Sequence, residues 1–250
     1  LIISFKKYNF VHYKLFNIMV DLSQAENQIQ RVNNFQELIS TPFSGEVNAM
    51  YWNRKLIGDF SEIVKKFELK DNIIEINSEQ LLELELSKQG QLAREILLND
   101  LKVLKAQGAS PILNLIKSYE RDDALHFFPT DVYSFHVDRS PIPTNTFVCT
   151  YYGESSDILP NSQAVQKILI PEIRNKLKKL YDGPDDGFES FLSEYFFDLH
   201  YQEKPNANPI NLGLGYLWKL AIDHPKSEVS PCIHRAPEEK NGQTRLLMIC

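Results

Sequence analysis

The stretch Ser134–Gly153, SFHVDRSPIPTNTFVCTYYG, decides how the chain is read. It holds two aromatic and β-branched runs separated by a Pro-rich turn, which is the pattern of short strands. Residues i and i+2 of a strand face the same way. His136 and Asp138 therefore share one face. An imidazole and a carboxylate side by side inside a strand pair are either a satisfied buried pair or two ligands of a metal.

The segments downstream share this texture. FFPTDVYSFHVD, TFVCTYYG, LGYLWKLAI, SPCIHRAP and TRLLMIC are short, apolar and bounded by Pro, Gly and Asn. That pattern predicts an antiparallel barrel or jelly roll over about 125–250. Residues 161–211 interrupt it as an insert with a basic helix (172–180), an acidic DGPDDG turn and a helix in FESFLSEYFFDLHYQE. Upstream, about 21–124 reads as a helical layer. Residues 59–67 form a short helix and 71–76 a short strand. A long helix runs from Ser78, its N-cap, to Ala106, with Gly90 dividing it and Gly108 ending it. Leu97, Leu101 and Leu104 recur at helical spacing. Ser110-Pro111 opens a second helix with Ile112, Leu115, Ile116 and Tyr119 on one face. The expected fold class is α+β: a double-stranded β-helix (jelly-roll or cupin-like barrel) with an N-terminal helical layer and a helical insert, one domain over 21–250.

Composition sets bounds on function. The 250 residues are 43% hydrophobic and 24% charged with net charge -6, so no global basic signal points to nucleic acid or an anionic membrane. A small-molecule substrate is the favoured partner. Cys149, Cys232 and Cys250 form no CxxC pair, which predicts a reducing, cytoplasmic setting. No apolar run reaches the length of a membrane span. The opening LIISFKKYNFVHYKLFNIM lacks an unbroken apolar region and a cleavage site for secretion. The expectation is that native translation starts at Met19, leaving residues 1–20 as a non-native or disordered arm.

An HxD spacing alone is close to chance. Two further residues sharpen it. His234 lies in another strand-like run, and Arg245 follows inside the final strand. Two imidazoles and a carboxylate occupy one face of Fe(II) and leave open positions for a 2-oxo acid and O2. An Arg nearby grips a distant carboxylate with two hydrogen bonds. The candidate ligands are His136, Asp138 and His234. The candidate co-substrate contacts are Arg245, Tyr151 and Thr150. Arg139 and Arg235 fall on the opposite strand faces and read as structural. A rival cluster, Asp198, His200 and Glu203, reads as the polar edge of an amphipathic helix, because the HExxH pattern is absent. No P-loop, GxSxG or dinucleotide fingerprint occurs.

The HxD…H…R order resembles the Fe(II)/2-oxoglutarate-dependent dioxygenases of the double-stranded β-helix superfamily. More closely, YWNR, FHVDR, CTYYG and HRAPEEKNGQTRLLMIC resemble an uncharacterised, mostly bacterial family, domain of unknown function 1826, from about Phe43 to the end. The resemblance maps onto His136, Asp138, Thr150, Tyr151, Gly153, His234, Arg235, Pro237 and Arg245. The chain departs from it at ESSDIL after Gly153 and at Ala236, where Ser is expected. The closer family carries no established activity; the superfamily resemblance implies an oxygenase with Fe(II) and 2-oxoglutarate as cofactors. Two other readings stay open on the residues: a cupin-like metalloprotein with hydrolase or isomerase chemistry, and a non-catalytic binding barrel.

Overall fold

The computed structural model describes residues 27–250 apart from 123, 239 and 241; the expected arm over 1–20 lies outside the described residues. In chain order the first half runs β1 (Ile29–Val32), α1 (Phe35–Ser40), β2 (Ala49–Trp52), α2 (Phe60–Lys66), β3 (Ile73–Ile76), α3 (Ser78–Glu83), α4 (Lys88–Ala106) and β4 (Ile112–Ile116). The second half runs β5 (Asn145–Tyr152), β6 (Asp157–Ile158), β7 (Ala164–Gln166), α5 (Pro171–Lys178), α6 (Phe188–Glu194), β8 (Tyr201–Glu203), β9 (Ile210–Asn211), β10 (Leu217–Ala221), β11 (His234–Arg235) and β12 (Arg245–Ile249). The fold is α+β.

Seven strands form one sheet in the order β1-β2-β10-β5-β12-β4-β3. Only the β1–β2 pair is parallel. Among the described residues the sheet does not close on itself. The N-terminal part is thus not a separate helical layer, because it supplies four strands to the sheet that β5, β10 and β12 complete.

The expected helix after Pro111 is instead strand β4. Ile112, Leu115 and Ile116 fit a helical face, but β4 sits between β3 and β12 with Leu113, Leu115 and Ile116 buried. A strand covered on both faces reads as a continuous apolar run, which periodicity alone does not separate from a helix. The long helix also breaks differently. Asn77, not Ser78, caps α3 in a capping box with Gln80, and a new start at Ser87 opens α4. Gly90 lies inside α4, packed so closely under Glu62 that a Cβ would meet its carboxylate at 2.4 Å. Gly108, at φ +83, does end the helix.

Leu97, Leu101 and Leu104 are buried as their spacing predicts, against Met50, Leu113, Leu115, Cys149, Tyr151 and Met248 on one face of the sheet. Each such leucine contributes about 2 kcal/mol of burial. The other face carries Tyr51, Val148, Trp218, Leu220 and Leu247, packed on Ile158, Ile210, Leu212 and Cys232 of a second layer. That layer is the three-stranded sheet β11-β6-β9, extended through residue 136 by bridges to His234 and His200. Its outer face holds Phe135, Val137, Leu159, Leu199 and Ile233. The insert packs outside it around Phe128, Leu177, Phe188, Leu192 and Phe197. The expected helix over FESFLSEYFFDLHYQE stops at Glu194, and β8 pairs with β7. No helix among the described residues is long and apolar enough to cross a membrane.

Candidate metal centre

Residues 135–138 run as an extended segment between Leu199–Tyr201 and Ile233–Arg235. The His136 and His234 backbones exchange two hydrogen bonds of 2.9 Å. Phe135 and Val137 alternate outward into the apolar cluster, which turns His136 and Asp138 inward, as the period-two reading expects. The bridge then puts His234 directly opposite His136.

The three side chains meet. His136 Nε2 lies 4.0 Å and His234 Nε2 3.6 Å from the Asp138 carboxylate, and the two rings are 4.7 Å apart. One ligand atom from each falls within 4.8 Å of the others. Three atoms so placed lie within about 2.8 Å of a common point, close to a metal–ligand bond. The inner nitrogens are spoken for. His136 Nδ1 donates to the Ser134 carbonyl at 2.7 Å, and His234 Nδ1 to the Cys232 carbonyl at 3.2 Å. A carbonyl only accepts, so both rings are fixed with Nε2 as the lone-pair atom, facing Asp138. The Thr146 hydroxyl donates to Asp138 Oδ2. Burial pushes the Asp138 pKa up, but His234, Thr146 and His136 outweigh it and hold the carboxylate below its usual range. Burial and the neighbouring His234 lower His136 to about 4, so its imidazole is neutral at pH 7. Two imidazoles beside a carboxylate are a donor set that a divalent first-row metal takes.

A cleft opens beside these three residues, between the two sheets. Arg245 projects into it from the start of β12 and is 6% exposed. Its Nη2 donates to Ser156 at 2.6 Å and to Thr150 at 3.4 Å, while its Nε has no acceptor among the described residues. Among the described residues no carboxylate pairs with it. Burial lowers its pKa; Tyr119 and Asp157 only partly offset that. A buried guanidinium left so short of acceptors has donor capacity that an anion could fill. Gly153 shapes this end of the site. It sits at φ +85, and a Cβ there would lie 2.4 Å from the Thr244 carbonyl, so only glycine lets β5 pass this close to β12.

Thr150 shares the cleft's face of β5 with Thr146 and Val148. Tyr151 does not. It points into the helical core, where its hydroxyl donates to Asp100 at 2.7 Å and its ring stacks on Phe60. A one-residue step along a strand reverses the face, so the two could not both reach the site. Arg139 pairs with Asp198 and Asp223, and Arg235 with Asp157, each away from the candidate ligands as expected. The rival cluster dissolves: Asp198 is the partner of Arg139, Glu203 lies in exposed β8, and His200 is buried behind His136 with its ring 6.0 Å away. His200 Nδ1 has no partner, and burial, then His136 and Lys167, lower its pKa to about 3.

Sequence reasoning missed Thr146 and Ser156. Thr146, Val148 and Thr150 alternate on β5, so a period-two count from the HxD strand's neighbour would have found the first. Ser156 lies within ESSDIL, where the chain leaves the resembled pattern, and no motif marks it. Comparison with family profiles, curated proteins and solved structures gives no match to this chain.

Proposed function

We propose that this chain is a non-haem Fe(II)/2-oxoglutarate-dependent oxygenase acting on a small molecule, with its two facing sheets an open variant of the double-stranded β-helix. The observation that carries the reading is the company the ligand triad keeps: a buried, carboxylate-free arginine in the same cleft. Thr146 anchors Asp138 and Thr150 touches Arg245, four residues apart on β5, so the two anchors stand about 13 Å apart.

His136, Asp138 and His234 would hold the iron, their ring tautomers set by the Ser134 and Cys232 carbonyls. Bound iron would supply oxidative chemistry, coupling decarboxylation of the 2-oxo acid by O2 to oxidation of a substrate bond. Arg245, braced by Ser156 and Thr150, would hold the distal carboxylate of the acid. Val148, Leu212, Leu220 and Leu247 line the cleft and exclude water around the reacting groups. Hydrolase or isomerase chemistry at a zinc or manganese centre gives no role to Arg245, which disfavours it. The test is release of succinate and CO2 from 2-oxoglutarate by iron-loaded protein. It should occur in wild type and stop in both His136→Ala and Arg245→Met. Iron binding without any turnover of the acid, with or without added reductant, would overturn the reading.

A further inference from the structure

Residue 196 follows α6 in a left-handed turn at φ +59, a place where a helix end normally carries glycine or asparagine. A phenylalanine stands there instead, and it is 57% exposed. Its neighbours Phe191, Tyr195 and Phe197 pack ring against ring. Among the described residues the Phe196 ring joins none of them. Backbone strain and an exposed ring are two costs, and packing within the chain offsets neither.

Phe196 borders an open hollow of about 540 Å³ that it shares with Arg139, Ser140, Pro141, Ser193, Asp223 and Pro225. Arg139 is held there by its edges. Its Nε donates to Asp223 at 2.6 Å, Nη1 to Ser193 at 3.2 Å and Asp198 at 3.3 Å, and Nη2 to Asp198 at 2.6 Å. These bonds lie in the guanidinium plane, so what the group offers a ligand is chiefly its flat face. Phe196, Pro141 and Pro225 add further flat apolar surface. Two polar groups keep capacity. Asp223 gives Oδ2 to Arg139, which leaves Oδ1 as an acceptor. Ser140 accepts from the Ile142 N–H at 3.2 Å and keeps its own proton to donate. Two carboxylates against one guanidinium leave this corner net negative.

We propose that the hollow binds a flat nitrogen heterocycle with a donor and an acceptor on its edge, of the unphosphorylated nucleoside class. Such a ring stacks on Phe196 and the Arg139 face, gives an N–H to Asp223 and accepts from Ser140. The local negative charge, and the chain's net -6, disfavour a phosphorylated ligand. The site is separate from the metal cleft. Arg139 points away from the candidate ligands, and the Asp223 N–H holds the Asp138 carbonyl at 2.7 Å. The proposal therefore stands apart from the oxygenase reading.

The test is titration of the metal-free protein with adenosine and with cytidine, followed by saturation-transfer NMR. At least one should saturate below about 10 mM, and its monophosphate should bind more weakly. Phe196→Gly should lower affinity about tenfold, the worth of one stacked ring. Its unfolding temperature should stay at or above that of wild type, because glycine adopts φ +59 without strain. Phe196→Tyr keeps a ring and should stay within about threefold of wild type. His136→Ala should leave nucleoside binding unchanged whatever it does to iron. Saturation by neither nucleoside, equal affinity in Phe196→Gly, or tighter binding of the monophosphate would overturn the proposal. So would a clear fall in the unfolding temperature of Phe196→Gly, which would make the ring part of the packing.

Discussion

Two arginines, Arg245 buried and Arg54 largely so, stand on opposite faces of the seven-stranded sheet. Arg54 is on the helical side. Its guanidinium grips both oxygens of Asp100, a carboxylate 1% exposed, and its Nε donates to the Gly215 carbonyl at 3.1 Å. Tyr151 adds a donor to the same carboxylate. Arg245, on the cleft side, has two hydroxyls, no carboxylate and an empty Nε. Burial pulls on both. At Arg54 it is outweighed by Asp100 and the pKa rises; at Arg245 it prevails and the pKa falls. A completed network of this kind ties α4 to β5, whereas the one at Arg245 is left with unused donor capacity.

That contrast is open to attack at several points. The largest effect is expected at Arg54→Met, which strands the Asp100 charge in the core and should cost about 3–5 kcal/mol in urea unfolding. A loss below about 1 kcal/mol would mean the pair is not the brace described. Next comes Thr146→Val, which removes the donor that orients Asp138; metal affinity should fall about 10–100-fold with stability little changed, read by competition with a chelator.

Acid sensitivity probes the histidines behind the site. His136 and His200 titrate near 4 and 3 when folded against an ordinary value of 6.5. Between those limits the unfolded chain takes up protons that the folded one refuses, so stability is full above about pH 6.5 and falls as pH drops through the window. His200→Phe should recover about 1–3 kcal/mol of the loss between pH 7 and pH 4 in metal-free protein. An identical acid profile would show that His200 is not buried neutral. The smallest stability effect belongs to Arg245→Met. It should leave the protein within about 1 kcal/mol of wild type, or above it, while abolishing 2-oxoglutarate binding. A loss matching Arg54→Met would make the two arginines equivalent and erase the comparison.

Much of the site was legible in the chain. The HxD spacing on a strand required His136 and Asp138 to share a face, and they do. That His234 joins them depends on an antiparallel bridge nearly a hundred residues away in sequence, which the motif order suggested and only the pairing register supplies. The choice between Thr150 and Tyr151 hinged on strand parity, so one of the two had to point away. The Asp100 network was invisible, because nothing local distinguishes Asp100 from the other acidic residues of an amphipathic helix. β4 was misread for a related reason. Its helical signal, Pro111 followed by Ile112, Leu115 and Ile116, is real locally, and pairing with both β3 and β12 overrides it. The helix boundaries at Asn77 and Ser87 turn on caps that compete with equally plausible neighbours.

The most direct test of the central claim is iron stoichiometry of anaerobically prepared protein, measured with and without 2-oxoglutarate. If the chain is the proposed oxygenase, it should bind one Fe(II) and give a visible charge-transfer band on adding the acid. Both should be lost in His136→Ala, and the band alone in Arg245→Met. Full iron stoichiometry retained in His136→Ala, or no stoichiometric iron in the wild-type protein, would contradict it.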